Sequence, residues 1–297
     1  MKKIILLLLL LHVTIFAQDI KNEKNLDLDN LTNQESINSM NSWLGGNFAL
    51  KPDKVSYLLP FGYTGHKYQS YNLDEYSNFE AELQVSLKLG VGKDLFGLKE
   101  RYYLSYTHHA FWQIYTNSSP FRENNYNPEA FAIIPIFSDI QGFTLRNVKL
   151  SLAHVSNGKG KTSLTRDSAG NPIVVNTSRS INYAYIDMAF QKDSFLANFI
   201  VLAPSFGADN LSDNPDIMDY WGYTAVKLTY FRGKNMYTLM VRGNPATEKG
   251  ALEATYSHPI RERSLFVFGK FFTGYGESLI DYNNYVTKFA FGISFSR

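Results

Sequence analysis

The sequence predicts an all-β fold, a transmembrane antiparallel β-barrel of about twelve strands. Three features of the chain carry that expectation. A leader sends it out of the cytoplasm, side chains alternate with the two-residue period of a strand along most of the mature chain, and the connections are alternately long and short.

The leader comes first. Lys2 and Lys3 precede an apolar run from Ile4 to Leu11 that continues to Phe16, and Ala17 is a small residue at the expected cleavage point. Residues 1–17 therefore read as a secretory signal peptide, too short to stay as a spanning helix. Residues 18–50 read as a polar periplasmic segment, since Gln18 to Asn41 is rich in Asn, Asp, Glu and Lys. The barrel is expected over residues 51–297. No later segment reaches the ~18 consecutive apolar residues of a transmembrane helix, so a helical membrane protein is excluded. The absence of cysteine excludes a disulfide framework, a thiolate metal site and a lipidated N-terminal cysteine. Aromatic residues make up 15% of the chain, high for a globular domain, while the formal net charge of +2 gives no argument for a nucleic-acid partner.

Asn78 to Leu89 shows the alternation most clearly. Phe79, Ala81, Leu83, Val85, Leu87 and Leu89 line one face; Asn78, Glu80, Glu82, Gln84, Ser86 and Lys88 line the other. Further strands are expected near Val55 to Tyr63, Arg101 to Tyr115, Glu129 to Phe137, Phe143 to Ser156, Ser178 to Phe190 and Leu196 to Phe206. The series continues near Tyr220 to Tyr230, Met236 to Arg242, Ala251 to His258, Leu265 to Thr273 and Tyr285 to Phe295. No helical period stands out after Val55. At roughly 20 residues per strand and connection, the chain suits about twelve strands rather than the larger number of a porin.

The connections orient the barrel. With the N-terminus in the periplasm, the outward connections include the long ones: Thr64 to Ser77, Thr116 to Pro128, Asn157 to Thr177 and Gly207 to Asp219. Ser138 to Gly142, Phe231 to Asn235 and Pro259 to Ser264 are shorter, as periplasmic turns are. The last strand carries Phe289, Phe291, Ile293 and Phe295 on one face, although the chain ends in Arg297 rather than an aromatic residue. A secreted β-sandwich would alternate in the same way, because alternation alone does not separate lipid from core.

One strand carries the chemistry. Val148, Leu150, Leu152, His154 and Ser156 share a face, and Lys149, Ser151, Ala153 and Val155 share the other. In a barrel the greasy face looks at lipid, so a base and a nucleophile stand at the end of a lipid-facing stripe, where an unpaired polar group costs of order 1–3 kcal/mol. Such residues are functional candidates by default. The next strand places Asn182 at the polar end of its own apolar face. In a hairpin Asn182 can accept a hydrogen bond from His154 Nδ1 while Nε2 takes the proton of Ser156, a Ser-His-Asn arrangement.

At these residues the sequence resembles the bacterial outer-membrane phospholipase A family. The matching motifs, in order, are Ser118-Ser119-Pro120-Phe121-Arg122-Glu123 with Asn125-Tyr126, then His154-Val155-Ser156-Asn157-Gly158, then Thr177-Ser178-Arg179-Ser180 with Asn182. Asp213-Asn214-Pro215-Asp216-Ile217 and Gly274 to Asn283 complete the set, so the match spans roughly Asn47 to Phe295. The resemblance implies a twelve-stranded barrel in the outer membrane, calcium-dependent hydrolysis of phospholipid acyl esters facing the outer leaflet, and activation by homodimerisation. It implies Ser156 as nucleophile, His154 as base and Asn182 as the orienting residue. It also implies calcium ligation by the Ser178 hydroxyl and the main-chain carbonyl of Lys159 from one subunit and by Ser118 from the other, with the Gly158 N–H at the oxyanion.

The chain departs from the family in two places. The connection from Lys159 to Asn176 is longer than the family's link; its Asp167 is a possible extra ligand, though a solvated loop acid is the simpler reading. His108 stands where the family favours glutamine at the subunit interface, which would make dimerisation pH-sensitive unless the ring is an ordinary satisfied surface residue. Other motifs point nowhere else. There is no Gly-x-Ser-x-Gly elbow, no phosphate loop before a helix and no His-Glu-x-x-His. Asp213 to Asp216 reads as a turn around proline. Glu80, Glu82 and Lys88 read as an internal plug, and Trp112, Tyr115, Tyr220 and Trp221 as interfacial girdles. The competing reading is a non-enzymatic barrel, a narrow channel or an adhesin.

Overall fold

The computed structural model describes Gln34 and residues 49–65, 68, 76–167, 169–204, 211–260 and 265–297. The expected signal peptide lies outside the described residues, as does the polar 18–50 segment apart from Gln34, Ala49 and Leu50.

The unit Leu50–Arg297 is a closed antiparallel barrel. Its twelve spanning strands are β2 (Tyr57–Thr64), β3 (Phe79–Lys93), β4 (Arg101–Trp112), β5 (Phe121–Ile140), β6 (Phe143–Ser156), β9 (Ser180–Lys192), β10 (Phe195–Pro204), β11 (Thr224–Arg232), β12 (Asn235–Asn244), β13 (Lys249–Pro259), β14 (Phe266–Gly274) and β15 (Val286–Ser294). Neighbours in sequence pair in space, β2 pairs with β15, and the pairing of β3 with β4 completes the ring. Closure satisfies every strand edge inside the sheet, which is the condition for a β-structure to cross lipid. A short β1 (Lys51–Pro52) joins the sheet beside β3, and β7 (Ser163–Arg166) with β8 (Pro172–Val175) forms a separate two-stranded sheet in the β6–β9 connection.

The period-two pattern sorts the side chains. On β3, Phe79, Val85 and Leu89 face outward, while Glu80, Glu82 and Ser86 are fully buried in the lumen. The last strand likewise exposes Phe289, Phe291 and, just beyond its end, Phe295. Outward aromatic rings form two belts: Tyr63, Phe79 and Tyr115 make a chain of ring contacts at one end of the barrel, and Tyr230, Tyr237 and Tyr256 at the other.

The lumen is filled. Arg122 Nε lies 2.9 Å from Glu80, its Nη2 lies 3.4 Å from Glu277, and Nη1 pairs with Asp281. Lys288 reaches Glu80 at 2.6 Å, Glu277 at 3.0 Å and Glu82 at 3.3 Å, and Lys270 joins Glu82 to Glu253. Glu80 and Glu82 thus form the expected plug, whereas Lys88 sits apart from it, paired with Asp53 at 3.1 Å.

Four local features differ from the sequence expectation. First, β5 starts at Phe121, not near Glu129, because Arg122, Glu123, Asn125 and Asn127 are buried and paired rather than solvated as in a loop. Second, a five-residue helix, α1 (Ile217–Trp221), precedes β11; it is too short to show a helical period. Gly222 ends it at φ 73°, and its absent side chain lets the backbone approach Gly243 O, which an added Cβ would meet at 1.8 Å. Third, Tyr220 and Trp221 belong to this helix and do not form a lipid girdle: Tyr220 packs on Tyr275 and Tyr282, and Arg242 lies over Trp221. Fourth, the long β6–β9 connection, where no strand is expected, contains β7 and β8.

Candidate active site

The site grows from the β6–β9 ladder. His154 stands directly opposite Asn182, and Ser156 opposite Ser180. On the same outer face below them, Leu150 and Leu152 are 42% and 58% exposed, while the alternating Ser151, Ala153 and Val155 are buried. His154 and Ser156 therefore sit half-buried at the upper end of a lipid-facing apolar stripe, as the alternation predicts. Behind them the inward residues are locked: Val155 and Ile181 pack with Ile217, Met218, Leu279 and Tyr282 in one apolar cluster. Full burial of such side chains stabilises by ~1.5–3 kcal/mol each, which holds the two ladder positions rigidly.

His154 Nδ1 lies 2.7 Å from Asn182 Oδ1. An amide oxygen only accepts, so Nδ1 carries the proton and Nε2 keeps its lone pair. Ser156 is the next residue on the same face, and no hydrogen bond to its hydroxyl forms among the described residues. Its other neighbour is Tyr126 on β5. The Tyr126 ring stacks on His108 with centroids 5.0 Å apart, and His108 Nε2 lies 3.0 Å from Asn124 Oδ1. His108 is thus partnered within its own chain.

After Ser156 the chain turns sharply. Gly158 has φ 65°, and a Cβ there would meet Tyr126 Cε2 at 2.8 Å. Asn157 fixes the turn: its amide donates to Thr177 O at 2.8 Å, and its oxygen accepts from the main-chain N–H of Arg179 at 3.0 Å and of Lys159 at 3.2 Å. Lys159 extends its ammonium to Glu123 at 2.8 Å and to Arg122 O at 2.8 Å, leaving its own carbonyl without a hydrogen bond among the described residues.

Ser178 donates to Asp213 Oδ2 at 2.8 Å, and Asn176 donates to Asp213 Oδ1 at 3.1 Å. The Ser178 hydrogen bond, with that of Asn176 second, holds the Asp213 carboxyl below its ordinary range. The same segment is braced twice more, by Ser180 N donating to Asn214 Oδ1 at 2.9 Å and by Tyr282 donating to Asp216. Asp213 to Asp216 is therefore a brace on the 176–180 segment as well as a turn. Sequence reasoning missed that role of Asp213 and the clamp of Asn157, although both lie inside recognised motifs; spacing along the chain does not reveal a contact across 35 residues.

Ser118 lies apart, exposed at φ 60° on the β4–β5 turn, and no hydrogen bond joins it to Ser178 or Lys159. Asp167 closes the β7–β8 turn, accepting from Ala169 N at 2.9 Å and Asn171 N at 2.8 Å, so it remains a loop acid away from Ser178. Among the described residues no group of three His, Asp or Glu side chains could hold a metal ion. What the site offers is oxygen: the Lys159 carbonyl, the Ser178 hydroxyl and the adjacent Asp213 carboxylate. Such a set suits a hard cation in kind, and it is incomplete in a single chain.

Comparison with known proteins gives the family and agrees with the fold. The chain is 32% identical to phospholipase A1 of Escherichia coli K12 over 216 residues, covering 72% of this chain and 68% of that one. A Neisseria meningitidis serogroup B relative is 37% identical over 225 residues, covering 73% of this chain; the match spans about half of that relative, 54%. Among solved structures, an active-site mutant of outer membrane phospholipase A from E. coli superimposes with a TM-score of 0.74 at 28% identity, over 84% of this chain and 92% of the other. A calcium-bound dimer of the Salmonella typhi outer membrane phospholipase superimposes equally well, with a TM-score of 0.74 at 29% identity, over 84% and 93%. The family model described as phospholipase A1 matches residues 33–295. The chain is an outer-membrane β-barrel that belongs to the phospholipase A1 family.

Proposed function

We propose that this barrel hydrolyses phospholipid acyl esters in the outer membrane, with calcium and as a homodimer, through Ser156, His154 and Asn182. The observation that carries the reading is the 2.7 Å contact between His154 Nδ1 and Asn182 Oδ1 on the lipid-facing wall, beside a Ser156 hydroxyl that makes no hydrogen bond among the described residues. Residues 1–17 are then a signal peptide and 18–50 a periplasmic segment.

In this mechanism the substrate's acyl chains lie along the stripe of Leu150 and Leu152, bringing an ester carbonyl to Ser156. His154 Nε2 takes the hydroxyl proton as Ser156 Oγ attacks the carbonyl carbon, and Asn182 keeps the ring oriented and its tautomer fixed. The Gly158 N–H donates to the developing oxyanion. As the tetrahedral species collapses, the proton on Nε2 passes to the leaving alcohol and an acyl-Ser156 ester remains. Water, deprotonated by the same Nε2, then releases the fatty acid and restores the serine. The Lys159 carbonyl and Ser178 hydroxyl of one subunit, with Ser118 of the second, would hold calcium, which supplies positive charge to the oxyanion when bound. The calcium-bound Salmonella dimer supports the metal and the assembly, and the E. coli relative solved as an asparagine-to-alanine active-site mutant supports an asparagine at the site.

The test is fatty-acid release by the refolded protein from mixed phospholipid and detergent micelles, with calcium and with excess chelator. Calcium-dependent release, much slower on dispersed lipid monomers, is expected. Ion conductance in planar bilayers without lipid turnover would favour the channel alternative, against which the ion-paired lumen already speaks.

A further inference from the structure

The connection after Ser156 holds a feature that the hydrolytic chemistry does not use. In the β7–β8 hairpin Leu164 pairs with Val174 and Arg166 with Pro172, so these four side chains share one face. That face is open: Leu164 is 52% and Val174 63% exposed, with Arg166 and Pro172 exposed beside them. The opposite face is held at the root, although Ile173 on it is 40% exposed. Thr165 is buried, Ser163 Oγ lies 2.6 Å from Thr177 Oγ1, Thr177 Oγ1 donates to Gly160 O at 3.2 Å, and the Asn157 clamp grips the Thr177 carbonyl. The root is fixed by these bonds, and Leu164 and Val174 stand away from the barrel.

Charge points to what covers them. Between Asn157 and Ser180 stand Lys159, Lys161, Arg166 and Arg179 against the single acid Asp167, in a protein whose net charge is only +2. Lys159 is committed to Glu123, and Arg179 to the carbonyls of Asn176 and Ser178. Lys161, 72% exposed and 3.8 Å from Asp213, and Arg166, whose guanidinium donates to Gly170 O, remain at the surface. The hairpin springs from Ser156, at the upper end of the lipid-facing stripe and so near headgroup depth. Cations beside an unpartnered apolar face at that depth match an anionic lipid surface.

We propose that the β7–β8 hairpin is an interfacial foot. Leu164 and Val174 rest at the boundary of headgroups and acyl chains, and Lys161 and Arg166 pair with the phosphates of anionic phospholipids. The foot thereby gathers anionic lipid beside Ser156. It depends on the barrel's place in the outer membrane and not on the hydrolytic reading, so the two can fail separately.

The chain has no cysteine, so Val174→Cys carries a polarity-sensitive fluorophore at a single place. The full-length labelled protein is reconstituted into phosphatidylcholine vesicles with and without phosphatidylglycerol, and Lys234→Cys, on the exposed β11–β12 turn, serves as the reference. The expected result is a blue-shifted, brighter Val174 probe in anionic vesicles and an unchanged Lys234 probe. Lys161→Gln and Arg166→Gln in the labelled chain should each weaken the anionic preference by about fivefold. A Val174 probe that reports water in both vesicle types would overturn the proposal. So would a shift that tracks protein density in neutral vesicles, which would mean a second copy, or one abolished by inorganic phosphate, which would mean a free-anion site.

Discussion

In the lumen, Arg122 is fully buried and ion-paired with Glu80, Glu277 and Asp281; on the outer wall, His154, Asn182 and Ser156 stay half-exposed, with His154 bonded to Asn182. Both regions put polar groups where the surroundings are apolar, yet one saturates them with ion pairs and the other leaves a hydroxyl and an imidazole nitrogen without a hydrogen bond among the described residues. Saturated groups have nothing left to offer a substrate, and their role is to hold the barrel shut. The open pair costs some stability and remains available for proton transfer. Placed on the outer wall, it meets lipid without the lipid having to enter the barrel.

The comparison breaks most sharply at Ser156. Ser156→Ala should lower turnover by about five orders of magnitude while shifting stability by less than ~0.5 kcal/mol, read by fatty-acid release and by denaturant unfolding in micelles. Arg122→Met should do the reverse. Three carboxylates lose a buried cation, so the barrel should lose about 3–5 kcal/mol, with turnover per folded molecule retained. If both variants acted alike, the division into structural lumen and reactive wall would be wrong.

Smaller changes sharpen the wall itself. Gly158→Ala drives a Cβ into Tyr126 and would disturb the N–H proposed to face the oxyanion, so kcat should fall at least about 100-fold. Adding Tyr126→Ala should return part of that loss, which a defect caused only by the positive φ would not allow. Asn182→Ala should cost roughly 10- to 100-fold in kcat, less than the nucleophile, because an unsupported histidine still accepts a proton. The smallest effect is one of pH. Asp213 is held below its ordinary range, so its contribution is present above the unfolded value near ~4 and fades only as pH falls through the depressed folded one. Amide exchange over residues 176–180 should therefore keep the same protection from neutral pH down to about pH 4, and Asp213→Asn should lower it throughout.

Much of this was legible in the chain. Alternation fixes which side chains face lipid wherever one face is apolar, so β6 runs from Phe143 to Ser156 as expected, and His154 meets Asn182 because hairpin neighbours must pair. The pattern fails where polar residues enter the barrel in numbers. The first residues of β5 read as loop since Arg122 and Glu123 look solvated until Glu80, Glu277 and Lys159 are brought to them from far along the chain. Helix α1 was hidden by its length, and Tyr220 and Trp221, girdle residues by composition, turned inward with it. The hold of Asp213 on Ser178 is likewise a contact between distant loops, which no local period encodes.

The central claim is that Ser156 is the nucleophile on the lipid-facing wall. It is tested most directly by treating the refolded protein in micelles with a long-chain sulfonyl fluoride, with calcium and with chelator, and mapping the adduct by mass spectrometry. The account predicts one adduct, on the peptide containing Ser156, formed in step with loss of hydrolysis and much faster with calcium. Complete inactivation with the label on another residue, or full labelling of Ser156 with hydrolysis intact, would contradict it.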